Sequence, residues 1–344
     1  MSFYYNITKR APFSKLKNID FYNIFLDLVS ILLIIAVILL IVNPARYIAS
    51  VNSGIRLFFV SVFPSLLPFL FISKLLDGLN VFHKLNKLVS PINNKLFGVP
   101  SISSYPIIMS LLSGYPIGAK IVGEMVKENQ ISYSEAKQII ALSSTSGPIF
   151  VIGSVGANML GSVKIGALIL LSHFLGAFIT GILYTLKKPK KYTNTPTHHR
   201  SIDPNLLKTT TNSTIISILT VAIYISIFYM FIDMLFFTNV LNIASKGIAW
   251  VLNLIKISPA YASGISSGLI EMTRGCKEII AVGNPLLSLV FCSGLISFGG
   301  LSIIIQSLTF LSGTKISGGY FIGLKFVQMA ITVMISIIVG LIFI

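Results

Sequence analysis

Long, strongly apolar runs dominate the chain, and they come in two kinds. Continuous runs at 24–43, 54–76, 164–186, 211–237 and 318–344 each reach the roughly 20 apolar residues that a hydrocarbon slab requires of a helix. Shorter runs at 99–119, 138–160, 257–272 and 284–311 place Gly, Ser or Pro where an ordinary span would have Leu. Two further segments, 78–96 and 239–256, alternate Lys or Asn with aliphatic residues and predict helices lying in the membrane interface. The pattern predicts an all-α polytopic membrane protein in which several helices are broken.

Composition agrees. Of 344 residues, 54% are hydrophobic and 10% charged, against about 25% charged in soluble domains; mean hydropathy is +0.87. The excess of 26 Lys+Arg over 10 Asp+Glu gives a net charge of +16. In this setting it reads as basic loops held on the cytoplasmic side of a lipid bilayer, and it does not call for nucleic acid. Those loops are residues 1–20, the segment 74–95, and "KKPKKYTNTPTHHRSIDPNLLK" at 187–208. The first apolar run is too long for a signal peptide and lacks a small-residue cleavage site. With all three basic segments inside, an even number of crossings must lie between residues 96 and 186. Three apolar segments lie there, so one is expected to be re-entrant, a geometry tolerated only where backbone is buried in protein or lines a wet cavity.

The chain also repeats itself. "SGYPIGAKIVGE" (113–124) aligns without gaps to "SGLIEMTRGCKE" (267–278): Ser-Gly opens both, a basic residue follows the Gly by six positions, and a Glu closes both. Downstream, "LGSVKIG" (160–166) parallels "LSGTKIS" (311–317), and "STSGPIFVIG" faces "LISFGGLSII". The expected organisation is a cytoplasmic segment 1–23, an extra N-terminal transmembrane helix 24–43, a first repeat 54–186, a basic linker 187–210 and a second repeat 211–344. Each repeat crosses an odd number of times, so the two are inverted, and broken helices at matching positions of inverted halves point to a solute site.

At the first break of each half the candidate residues are Ser113, Gly114, Tyr115, Pro116, Gly118 and Lys120, and then Ser267, Gly268, Glu271, Thr273 and Arg274. Pro116 removes a backbone donor and Gly114 relaxes the chain, so a helix must stop and another must start near mid-membrane. The new helix end favours an anion, with Lys120 and Arg274 expected to add full charges. The second breaks supply Ser144, Ser146 and Gly147, and then Ser297, Gly299, Gly300 and Gln306. The plainer alternatives are a surface pair Lys120–Glu124, a structural pair Glu271–Arg274, and small residues used for close helix packing. Glu271 either orients Arg274 or accepts a coupling proton. Cys276 and Cys292 are expected to be buried thiols. No His cluster, phosphate loop or nucleophile motif supports an enzyme, a metal or a cofactor.

Five stretches, "FPSLLPFLFISKLL" (63–76), "LLSGYPIGAK" (111–120), "GPIFVIGSVGANML" (147–160), "GLIEMTRG" (268–275) and "SFGGLSIIIQ" (297–306), resemble the sporulation integral membrane protein family called YlbJ or SpoVV, within the wider group of nucleoside-recognition "Gate" domains. The resemblance runs from about residue 25 to the C-terminus. It implies two Gate-like repeats and a secondary transporter in the mother-cell-derived outer forespore membrane of an endospore-forming Firmicute. The implied cargo is dipicolinate (pyridine-2,6-dicarboxylate), a planar dianion suited to two helix ends and two cations, with Tyr115 able to stack on its ring. A nucleoside or other metabolite permease and a structural sporulation protein are the alternatives. The coupling ion, proton or sodium, and homo-oligomerisation stay open.

Overall fold

The computed structural model describes residues 21–185 and 203–344. The N-terminal segment to residue 20 and the linker from 186 to 202 therefore lie outside the described residues. Residues 1–47 and 48–344 form two separate units. In the first, α1 (Phe21–Val42) exposes apolar side chains around its circumference, among them Leu32, Ile38 and Ile41. A helix apolar on every side belongs in hydrocarbon, and α1 is the extra leading helix that the sequence predicts.

The second unit begins in α2 (Pro44–Leu57), which runs through one π-helical stretch, Phe58–Val62, into α3 (Phe63–Gly78). Asn80, in the left-handed region at φ 59°, turns the chain into α4 (Val81–Phe97), and Gly98 ends it at φ 57° with its N–H on the Asn94 carbonyl. Next come α5 (Ser104–Ser113), α6 (Ile117–Lys127) and α7 (Tyr133–Leu142). Ser132 and Glu135 close a reciprocal capping box at the start of α7. A π-helical segment, Phe150–Met159, and α8 (Val163–Thr185) complete the first half.

The second half follows the same course. Its elements are α9 (Leu206–Phe237), α10 (Val240–Leu254), α11 (Tyr261–Ile270), α12 (Met272–Ile280), α13 (Pro285–Phe298), α14 (Gly300–Phe310) and α15 (Gly318–Phe343). Left-handed residues mark matching joints in the two halves: Asn80 and Asn239, Gly98 and Lys256, Asn129 and Gly283, Gly161 and Gly313. Asn and Gly tolerate this conformation at low cost, so the joints are written into the sequence.

Among the described residues, five helices are long and apolar enough to cross a membrane: Pro44–Gly78, Val163–Thr185, Leu206–Phe237, Pro285–Phe310 and Gly318–Phe343. A bent pair, Leu88–Phe97 with Ser101–Ser113, turns by 109° at residues 98–100, ahead of the break that the sequence places at Gly114 and Pro116. The chain is a multi-pass, all-helical integral membrane protein with broken helices.

Apolar packing joins the halves. Phe58, Val62 and Leu70 pack with Phe150, Val151 and Val155 and with Tyr261, Ile279, Leu289 and Leu295. Cys276 and Cys292 are free and buried within it, as inert thiols.

Candidate functional site

In the first half, α5 stops where Gly114 adopts φ 76° and ψ −165°, with its N–H on the Ser110 carbonyl at 2.9 Å. After Tyr115 and Pro116, α6 restarts with the Ile117 N–H on the Gly114 carbonyl at 3.1 Å. A side chain at Gly114 would place its Cβ 2.3 Å from the Gly147 nitrogen, so the two breaks of this half cross backbone to backbone. Ser110 fixes the crossing: its hydroxyl bonds the Thr145 N–H at 3.1 Å and the Thr145 hydroxyl at 2.9 Å. The second half repeats the device. A Cβ at Gly300 would lie 2.9 Å from the Ile270 carbonyl oxygen and 3.2 Å from that of Gly268.

A cavity lies where these crossings meet. Its volume is about 60 Å³, well below the roughly 300–1,000 Å³ of ordinary small-molecule sites, so the walls must part before a solute larger than a few waters can enter. Ser113, Gly114 and Tyr115 line it from the first break, and Ser146, Gly147 and Phe150 from the second. The other half contributes Glu271, Met272 and Thr273, and then Ser302, Ile303 and Gln306. Apolar walls come from Val62 and Leu66 and from Val221, Tyr224 and Ile225 of α9. These polar groups sit at or beside the N-terminal ends of four interrupted helices. No side chain caps α6 or α14, and uncapped N-termini present partial positive charge. Gln306 leaves its side-chain oxygen without a partner.

The fourth end is occupied. Glu271, buried at the N-cap of α12, accepts the N–H groups of Thr273 at 3.0 Å and Arg274 at 2.7 Å. Glu271 therefore holds the helix end and leaves the guanidinium to others, which corrects the expectation that it orients Arg274. The guanidinium instead bonds Asp233 at 2.8 Å, Glu278 at 2.7 Å and the Tyr229 carbonyl at 3.0 Å, and stacks 4.4 Å from the Tyr229 ring centre. Ser50 donates a further bond to Asp233. With its donors committed, Arg274 does not line the cavity. Lys120, at the matching position, is exposed and does not line it either. The expected pair of cations at the solute is absent because one is consumed in an ion-pair clamp and the other points outward.

The positive charge nearest the cavity is one that the sequence reading passed over. Lys325 of α15 is fully buried, and its ammonium donates to the Tyr115 hydroxyl at 2.7 Å, the Ser144 carbonyl at 3.0 Å and the Gln328 side-chain oxygen at 2.7 Å. It lies 4.6 Å from the centre of the Tyr115 ring. Beside it, the His173 Nε2 accepts the Ser146 N–H at 2.9 Å, and Nδ1 lies 2.7 Å from the Ser297 hydroxyl, which donates to Thr332 at 2.9 Å. Lys325, Asp233 and His173 each interrupt an apolar run. Such residues mark functional sites by default, and that signal was available in "GLKFVQ", "MFIDML" and "LSHFLG".

The remaining predicted residues frame the cavity without lining it. Gly118 packs on the Ser143 carbonyl, Gly268 on Gly275 and Leu295, and Gly299 closes α13 at φ 86°. Pro116 precedes α6, and the buried Ser144 and Ser267 hydroxyls have no partner. Among the described residues no cluster of His, Cys, Asp and Glu could hold a metal ion.

No family model matches the chain. It is similar to the sporulation integral membrane protein YlbJ of Bacillus subtilis (strain 168), 27% identical over 299 residues, which cover 80% of this chain and 72% of that protein. Its fold is similar to that of CNTnw, a concentrative nucleoside transporter, in an inward-facing substrate-bound state: TM-score 0.56, 15% identity, 87% of this chain and 84% of the other. An outward-facing CNTnw variant gives a TM-score of 0.47 at 11% identity. The chain thus has the fold of a membrane transporter and a relative among sporulation membrane proteins.

Proposed function

We propose that the protein is a secondary transporter that carries a small organic anion, dipicolinate, through the cavity between its two halves. The observation that carries this reading is the convergence of four interrupted helices on one cavity, two of whose ends, those of α6 and α14, have no side-chain cap. Helix N-termini favour carboxylates, and Lys325 adds a full charge behind Tyr115. A planar dianion suits the chemistry of this setting once the walls part: its ring would lie against Tyr115 and the apolar wall, and its carboxylates would meet the helix ends. Similarity to a sporulation membrane protein supports a place in the outer forespore membrane, where this cargo is needed.

A nucleoside or other metabolite permease is the second reading, favoured by the likeness to CNTnw and by Gln306, whose unpartnered amide suits a neutral, hydrogen-bonding solute. Uptake into liposomes holding the purified protein separates the two. Labelled dipicolinate should enter with saturation, and excess uridine should not compete. Uridine entering while dipicolinate stays out would reverse the assignment. A structural protein would move neither.

A further inference from the structure

Lys325 poses a problem of charge. Its side chain is completely buried, and its three acceptors are a phenol, a backbone carbonyl and a carboxamide, all neutral. The ion pairs within 4.0 Å among the described residues both belong to Arg274, so no carboxylate balances the Lys325 ammonium. A buried charge without a counter-charge is costly, and an amine in such a place sheds its proton or finds an anion.

The surroundings leave no other group to share the charge. From α8 comes His173, whose Nε2 accepts the Ser146 N–H and so carries no proton; a second ring proton would collide with that N–H. From the first break comes Tyr115, a neutral phenol whose oxygen lies 2.7 Å from the Lys325 nitrogen and 3.2 Å from the Ile296 carbonyl oxygen, so its proton can turn to the lone pair of a neutral amine or to the carbonyl beside an ammonium. Of the other titratable groups on elements that pack on α15, α13 carries the buried thiol Cys292 and α14 none, while α8 adds Lys164 in its first turn and Tyr184, which meets the Tyr320 ring. On α15 itself, Gln328 is the neighbour and Tyr320 lies more than a turn away, bonded to the Lys137 carbonyl. Tyr115 separates Lys325 from the cavity, lining the one and bonding the other, so an anion entering there supplies the missing counter-charge.

We infer that Lys325 takes up a proton as the anion enters the cavity and returns it as the anion leaves, so that each anion crosses with one proton. The step is a simple transfer: the amine lone pair binds a proton from water on one side, and the same N–H bond breaks to release it on the other. Because binding takes up one proton, anion affinity falls by up to tenfold for each unit of pH above the range in which the empty amine is protonated. This inference rests on the transport reading above and assigns its coupling ion.

Calorimetric titration of the detergent-solubilised protein with dipicolinate, in buffers of different ionisation heat, counts the protons directly. The wild type should take up one proton per dipicolinate bound. Lys325→Met should take up none, and so should Lys325→Arg, whose guanidinium is charged throughout. The Arg variant keeps the cation and decides the matter if the Met variant does not fold. Binding by the wild type without proton uptake, or unchanged uptake in Lys325→Arg, overturns the proton role and leaves the carrier reading standing. Absence of any dipicolinate binding by the wild type is a different result and removes both.

Discussion

Asp233→Asn separates a structural clamp from a solute contact. Asp233 meets the Arg274 guanidinium at 2.8 Å, and the two side chains are 23% and 10% exposed. Asn keeps the shape and one acceptor and loses only the charge. A charge-assisted hydrogen bond contributes about 1.5–3 kcal/mol. Asp233 is partly open to solvent and Arg274 keeps Glu278 and the Tyr229 carbonyl, so the expected loss is about 1–2 kcal/mol after screening. For a protein of this size that corresponds to a fall in Tm of roughly 2–6 °C. The assay is thermal unfolding in detergent beside uptake into liposomes. Because the clamp stands outside the cavity lining, KM for dipicolinate should stay within about twofold. A KM raised about tenfold at unchanged Tm would mean that Arg274 touches the solute, and the clamp would be refuted. A double-mutant cycle with Arg274→Gln measures the coupling directly.

Other consequences are sharp enough to measure. Gly114→Ala combines a φ of 76° with a Cβ 2.3 Å from the Gly147 nitrogen; it should cost about 2–4 kcal/mol and abolish uptake, read from Tm and transport. Gly283, at φ 96° with open space around it, should lose only about 1 kcal/mol on substitution by Ala, in the same unfolding assay. Tyr115→Phe removes a hydroxyl that accepts from Lys325 and should lower kcat/KM about tenfold, the loss of roughly one polar contact. Gln306→Glu brings a carboxylate to the cavity wall and should raise KM for dipicolinate about tenfold or more, while any uridine binding changes less.

The breaks were legible because they are local. Pro116, the Ser-Gly pairs and the Ser-Thr-Ser-Gly-Pro run state on their own that a helix stops, and matching motifs 154 residues apart state that it happens twice. Their convergence on one cavity followed from treating the halves as equivalent. The cations could not be placed this way. Whether Arg274 faces solute or Asp233 depends on how α12 is rotated against α9, and no spacing within "GLIEMTRG" records a partner 41 residues upstream. Lys325 was missed for a different reason. It sits in an otherwise clean apolar run, where attention to length conceals one polar position. Its partners Tyr115 and Ser144 are 210 and 181 residues away, so only the fold brings the network together.

The halves also differ in a way that their shared course exposes. Asp233 precedes the turning residue Asn239 by six positions, and Lys74 precedes Asn80 by the same six. Arg274 and Lys120 likewise occupy matching sites after the first break. Where the second half has an ion pair between α9 and α12, the first has two lysines, and the Lys120 ammonium is close enough to repel that of Lys74. Lys74 turns to α9, bonding the Ser213 carbonyl and, at 2.7 Å, the Ser217 hydroxyl. The broken helix of the second half is thus clamped to its long neighbour by an ion pair, whereas the first half has no such pair among the described residues and ties α5 to α3 through the Tyr105 hydroxyl on Asp77 at 2.9 Å. On the proposed carrier reading one half moves against the other, and the missing ion pair makes α6 the segment expected to part from α3. Lys120→Glu tests it, since the exposed position tolerates the change and supplies Lys74 with an opposite charge. An exposed pair contributes at most about 1 kcal/mol, so Tm should rise slightly. Because that bond must break in each cycle, Vmax should fall up to about fivefold with KM unchanged. A Vmax equal to the wild type, with the new pair confirmed by a double-mutant cycle through Lys74→Gln, would show that α6 need not part from α3.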